Sequence, residues 1–201
     1  MNTTNFEPSL LLASASPRRA ELLRQIGVRF DVQVANVPEI LDAGEAPYDY
    51  VSRLALAKAR ALALTSVLPV RGADTVVVCD GQVLEKPRDA EHGQAMLLQL
   101  SNRRHQVMTG VALVVKSGAE IVTQSLVVST DVFFGPITAE QARAYWQTTE
   151  PQDKAGGYAI QGLGAMFVER IEGSYSNVVG LPLYETAQLL RAFAVPIGQA
   201  R

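Results

Sequence analysis

"GADTVVVCDGQVLEKPRDA", residues 72–90, reads as an apolar strand, a two-residue turn and a short returning strand. Asp80-Gly81 is a strong hairpin signal, because both central turn positions need positive φ. That turn pairs Cys79 with Gln82, Val78 with Val83, Val76 with Glu85 and Thr75 with Lys86. Side chains alternate across a strand, so Asp74, Val76, Val78, Val83 and Glu85 share one face. Asp74 and Glu85 are then diagonal neighbours, with Cα atoms about 7–8 Å apart. Lys86 projects from the other face at the same end, beside Thr75. Two carboxylates so placed can hold a divalent cation, or one can bind a metal while the other takes a proton from water. Equally, Asp74 can cap the strand while Glu85 and Lys86 are solvated rim charges.

Outward from the hairpin, strands and helices are interspersed. "LLLA" (10–13) reads as a short buried strand, and "SASPRRAELLRQIG" (14–27) as a helix capped by Ser16, with Pro17 at its first position and Gly27 closing it. "FDVQV" (30–34) alternates like a strand, and 48–66 is a long alanine-rich helix. A helix follows over 89–101, a long antiparallel pair over 105–116 and 120–134, and a helix over 138–149 from a Thr138 cap with Glu140 near it. A glycine-rich stretch (154–164), a strand (165–173) and a helix (182–194) follow. Both βαβ spacing and hairpins occur, so the expected fold class is α/β, a mixed sheet with flanking helices.

The chain has 201 residues, 48% of them hydrophobic and 19% charged, the profile of an ordinary globular protein. A chain of this length buries roughly 70% of its unfolded surface and needs no staples. A single cysteine, Cys79, excludes an internal disulfide and suits a reducing compartment. Net charge is −2 and the basic residues are scattered, which argues against nucleic acid as a partner. "MNTTNFEPS" lacks the basic and apolar regions of a secretory signal, and residues 1–8 read as a loose N-terminal extension. Arg53, Lys58 and Arg60 interrupt the longest apolar stretch, so no membrane span is expected and the cytoplasm is the expected location.

Two further loops break local rules. Arg18 and Arg19 fall in the first turn of a helix, where the dipole favours acids. With Ser14, Ser16 and free backbone N–H groups, that turn suits a phosphate, although a plain capped helix with solvated arginines reads equally from the residues. "DKAGGYAIQGLG" (153–164) carries four glycines in twelve residues, with Lys154, Tyr158 and Gln161 among them. Glycines let a ligand approach the backbone and a lysine supplies charge for phosphate; a flexible surface loop is the alternative. No Walker-type loop is present. His92 and His105 lack partners at metal-ligand spacing, Cys79 reads as packing, and Ser174 and Ser176 lack a nucleophile-elbow pattern.

Together, "LASASPRRAELL" (12–23), "VSRLALAKA" (51–59), "GADTVV…LEKPRDAEHG" (72–93), "DKAGGYAIQGLG" and "IEGSYSNVVGLPL" (171–183) resemble the Maf family of nucleoside triphosphate pyrophosphatases, in order from about Leu10 to about Leu190. The resemblance implies one Maf-like domain over residues 1–201, an elongated two-lobed Maf/ITPase-like α/β fold with a deep central cleft. It also implies a divalent metal (Mg²⁺ or Mn²⁺), frequent homodimers, and a nucleoside triphosphate substrate cleaved to monophosphate and pyrophosphate, clearing non-standard nucleotides from the pool. Asp74 matches the family's proton acceptor. Ser14, Arg18, Glu39, Lys58, Glu85, Lys86, Lys154 and Gln161 match its polar cleft positions, and Arg18, Thr75 and Gln161 match positions tied to substrate choice. Asp74 and Glu85 are the expected metal ligands. "DKAGGYAIQG" resembles the dTTP/UTP branch. The competing readings are a 7-methyl-GTP or broader modified-nucleotide pyrophosphatase and a non-catalytic nucleotide-binding regulator of cell division. Two departures stand out: the residue before the helical lysine, often acidic, is Ala57, and Gly157 and Ala159 reverse the usual order of small residues.

Overall fold

A computed structural model describes residues 7–118 and 120–199; most of the expected N-terminal extension, residues 1–6, lies outside them. Ten strand residues, Val70–Cys79 (β3), form the centre of a seven-stranded mixed sheet. Leu10–Leu12 (β1) runs parallel to β3 and to Phe30–Val32 (β2). On its other side β3 pairs antiparallel with Arg104–Ser117 (β5), which pairs with Glu120–Phe134 (β6), which pairs with Val168–Glu172 (β7). Gln82–Leu84 (β4) folds back onto β3 through the Asp80-Gly81 turn, whose φ values are 50° and 77°.

The hairpin register is the expected one as far as it goes: Cys79↔Gln82, Val78↔Val83 and Val77↔Leu84. The ladder stops there, so Val76–Glu85 and Thr75–Lys86 do not pair. The carbonyl of Glu85 instead accepts the backbone N–H of Gly156, from a loop 71 residues away in sequence (156 against 85). As a result β1 covers only the start of β3 and β4 only its end. Between them, around Ala73–Val76, β3 has no strand partner on that side among the described residues. Here β1 also ends and its chain turns into Pro17–Gln25 (α1), the point in such sheets where ligands are received.

Helices cover both faces. Pro47–Ala63 (α2) lies across β3 and β5, presenting Ala55 and Ala59 to the sheet. Its approach is close because the sheet offers glycines: a Cβ on Gly72 would sit 2.1 Å from the Ala55 carbonyl oxygen, and one on Gly110 2.3 Å from that of Val51. The opposite face carries two apolar clusters. One joins α1 and Leu183–Ala192 (α6) to β1 and β5, through residues such as Leu12, Leu23, Leu113 and Leu190. The other joins Ala90–Leu100 (α3) and Ala139–Gln147 (α4) to the far end of the sheet, through Val77, Leu97, Phe134 and Tyr145. These are the two lobes, and the long strands run through both.

Three local expectations need correction. The strand expected over 165–173 begins only at Val168, because Leu163–Phe167 winds into a 3₁₀ turn. The box at the start of α4 closes on Gln141, whose side chain accepts the Thr138 N–H, rather than involving Glu140. A short helix, Tyr175–Val179 (α5), capped by Ser174, was not anticipated. No helix among the described residues is long and apolar enough to cross a membrane.

Candidate active site

A cleft of about 370 Å³ opens between the lobes at the uncovered edge of β3. Ser14, Arg18, Glu39, Lys58, Asp74, Thr75, Lys86, Lys154 and Gln161 all line it, from six separate parts of the chain. Glu85 does not line it. Its carboxylate is exposed; after burial and the charge of Asp74, the charge of Glu85 helps push the Tyr50 hydroxyl up to about 12.

Asp74 is buried at the bottom. Its Oδ1 accepts Lys58 Nζ at 2.6 Å, and the same ammonium reaches Glu39 Oε1 at 2.5 Å. The glycines make this contact: with α2 seated directly on Gly72 and Gly110, Lys58 on that helix reaches the carboxylate two residues along β3 from Gly72. The acid often found before this lysine is Ala57 here, and the carboxylates that pair with Lys58 come from elsewhere, β3 and the 33–46 loop. Burial pushes the Asp74 pKa up, while Lys58 and Arg19 pull it back; the net shift is upward.

The first turn of α1 contains no acid. Arg18 faces the cleft and pairs with Asp153 at 3.4 Å. Arg19, about 100° further round the helix, turns inward. Its Nε donates to the Gly180 carbonyl (3.0 Å), one terminal nitrogen to Ser14 Oγ (3.2 Å) and the other to Thr75 Oγ1 (3.0 Å). Because Thr75 Oγ1 accepts from Arg19 and Thr109 donates to the Asn177 carbonyl, the Thr75 hydroxyl is left to donate to Thr109. The two adjacent arginines thus divide the work, Arg18 at the mouth and Arg19 as the brace of the β3 edge. Nothing in the dipeptide distinguishes them; only the long-range partners do.

Across the cleft, Lys154 Nζ is held by the Glu150 carbonyl (2.6 Å) and Asp153 (2.5 Å). Asp153 therefore serves both Arg18 and Lys154 as counter-ion. Lys86 and Gln161 have no hydrogen-bond partner among the described residues and are exposed to the cleft. In all, Arg18, Arg19, Lys58, Lys86 and Lys154 face Glu39, Asp74 and Asp153, five cations against three carboxylates. Such a wall attracts a polyanion with several phosphates.

No group of three or more His, Cys, Asp or Glu side chains suited to a metal occurs among the described residues. What the edge of β3 offers is carboxylate oxygen, Asp74 and, across Lys58, Glu39; Glu85, expected as a ligand, is not among the lining residues. Mg²⁺ is commonly held by one or two carboxylates, with water and substrate phosphate completing its shell. The donor set fits a metal that enters with a phosphate ligand rather than a caged resident ion.

The mixed sheet, the two lobes and a cationic cleft with a buried carboxylate define a class of α/β proteins that receive phosphate-rich ligands. The chain belongs to the Maf-like protein family, whose model matches residues 9–193. It is 58% identical over 186 residues to the dTTP/UTP pyrophosphatase of Vibrio vulnificus (strain YJ016), covering 92% of this chain and 98% of that protein. It is 54% identical over 203 residues to the dTTP/UTP pyrophosphatase of Saccharophagus degradans, covering 98% and 95%. Among solved structures, a HAM1 protein from Coxiella burnetii matches with a TM-score of 0.50 at 17% identity, over 92% of this chain and 100% of that one, a likeness of fold.

Proposed function

We propose that this chain is a nucleoside triphosphate pyrophosphatase that hydrolyses dTTP and UTP to the monophosphate and pyrophosphate. The observation that carries the reading is a buried carboxylate, Asp74, at the base of a cleft otherwise dominated by cations. A protein that only bound triphosphates would have no use for it, since it repels them. The names of relatives more than half identical along most of the chain supply the substrate class.

In this reading the triphosphate lies along Arg18, Lys86 and Lys154 and displaces Asp153 from its two cations. It also draws Lys58 toward phosphate oxygens, freeing Asp74 to accept a proton from the attacking water. The upward shift of Asp74 suits that task, since a carboxylate with a raised pKa is the stronger base. A divalent metal entering with the phosphates would screen their charge, with Asp74 the cleft carboxylate able to hold it; Glu85, the other expected ligand, lies outside the cleft lining. Arg19 keeps Thr75 and the β3 edge in place. Catalysis is then positioning and electrostatics, as expected for attack at phosphorus. A nucleotide-pool substrate and a lone, buried Cys79 suit a cytoplasmic enzyme.

Gln161 carries base choice. Its amide offers both a donor and an acceptor, which match the edge shared by uracil and thymine; turned over, the same amide would pair with cytosine's N4–H and N3, so the preference depends on the amide being held one way round. A panel of dTTP, UTP, CTP, ATP, GTP and 7-methyl-GTP with Mg²⁺ or Mn²⁺ tests the reading: dTTP and UTP should lead, with little discrimination between ribose and deoxyribose. Gln161→Ala should erode that lead by about 1–2 kcal/mol, one lost hydrogen bond with its partner left unsatisfied. A wild-type preference for 7-methyl-GTP contradicts the branch assignment, and a pyrimidine preference intact in the Ala variant removes Gln161 from base choice.

A further inference from the structure

Gln161 is exposed and sits in a loop with four glycines between 156 and 164, a composition that by itself leaves a side chain poorly placed. The structure nevertheless holds the loop on both sides of it. Upstream, the Ala159 N–H donates to the Tyr145 hydroxyl at 3.1 Å. Downstream, the N–H groups of Leu163 and Gly164 donate to the two carboxylate oxygens of Glu150, each at 3.0 Å. The clamp is closed on itself, because the Tyr145 hydroxyl donates to Glu150 Oε1 at 2.6 Å. Tyr145 is in turn fixed in the core of its lobe, 1% exposed and edge-on to Phe167.

The fit around Glu150 is close. A Cβ on Gly162, the residue after Gln161, would lie 2.2 Å from Glu150 Oε2. Gly162 is thus a glycine because the carboxylate presses against it. The backbone of Glu150 adds a second duty, since its carbonyl accepts Lys154 Nζ on the phosphate side of the cleft. One residue therefore ties together the strand of chain that carries the base-facing amide and the lysine that faces phosphate.

We infer that Glu150, acting with Tyr145, is a positioning residue for substrate selection: it holds residues 159–164 so that the Gln161 amide is presented to the base at a fixed height and angle. Neither side chain lines the cleft, so neither touches the nucleotide. Their contribution is preorganisation, which lowers the ordering cost of binding and sharpens discrimination between similar bases. The inference rests on the substrate reading above only for the identity of the favoured base.

Two variants test it, Glu150→Gln and Tyr145→Phe, each purified as the full chain. Glu150→Gln keeps one carbonyl acceptor but sets an amide N–H₂ against one of the loop's N–H groups; Tyr145→Phe removes the hydroxyl that links Ala159 to Glu150. Steady-state kinetics with dTTP and CTP should show the ratio of their kcat/KM values falling by about tenfold or more, since a recognition hydrogen bond is no longer held in place. The loss should lie in the KM for dTTP, with kcat changed by less than about threefold, the mark of lost binding rather than lost chemistry. Amide exchange at Ala159, Leu163 and Gly164 should quicken by about tenfold or more as those bonds open. If Glu150→Gln does not fold, Tyr145→Phe carries the test. A uniform fall in kcat for both nucleotides with their ratio unchanged would mean a purely structural role and overturn the inference, as would unchanged exchange at the three amides. Should the wild type favour some other base, the substrate reading fails, and the clamp is then judged on amide exchange and on the variants' loss of whichever preference the wild type has.

Discussion

Asp74→Asn should lower turnover of dTTP by about 10²–10⁴-fold, the usual worth of a general base. The substitution preserves shape and leaves Lys58 with Glu39 as its charged partner and an amide oxygen in place of Oδ1. It removes the lone pair that takes the proton. Nucleotide binding should survive or tighten, because a buried negative charge next to the phosphates has gone. Single-turnover kinetics together with equilibrium titration separate the two effects. Turnover near the wild-type value would take Asp74 out of the mechanism.

Gly72→Ala should be the most damaging change outside the cleft's own side chains. The added methyl would stand 2.1 Å from the Ala55 carbonyl oxygen and 2.7 Å from the Ala59 nitrogen, both backbone atoms of α2. No rotamer relieves that contact; the helix must lift from β3. Overpacking costs about 1–3 kcal/mol where side chains can shift, and a backbone clash belongs at or above the upper end. For a chain of this length 3 kcal/mol corresponds to a fall in Tm of about 6–12 °C. Lifting α2 also draws Lys58 away from Asp74, so the folded fraction should lose activity as well. Differential scanning calorimetry and specific activity per folded molecule measure the two losses. A Tm within about a degree of wild type, well short of the shift expected for such overpacking, would contradict the seating of α2 on the sheet.

These expectations rest on features of unequal visibility in the sequence. The hairpin was legible because Asp80-Gly81 dictates a two-residue turn, and the register follows from it through Val77↔Leu84. What lay beyond was not, because the end of β4 is decided by Gly156, whose N–H takes the Glu85 carbonyl. Glu85 accordingly leaves the ladder and does not line the cleft, instead of forming a diagonal pair with Asp74. The cleft's cations were recognisable as types that suit phosphate, yet the inward turn of Arg19 depends on Gly180 and Thr75, distant in sequence. Lys58 and Asp74 lie 16 residues apart and meet only because two glycines let helix and sheet approach. Glu150 gave no local signal at all. It precedes the glycine-rich stretch at the start of a short 3₁₀ turn, Glu150–Asp153, and its importance comes from bonds to residues 13 and 14 positions later.

In the proposed hydrolysis, water deprotonated by Asp74 attacks the phosphorus next to the nucleoside and pyrophosphate leaves. Hydrolysis of dTTP in ¹⁸O-labelled water, with products separated and weighed by mass spectrometry, tests it directly. Attack there gives dTMP carrying one ¹⁸O and unlabelled pyrophosphate, with no orthophosphate formed in the first step. Orthophosphate and dTDP as the initial products, or label found in the pyrophosphate, would contradict it.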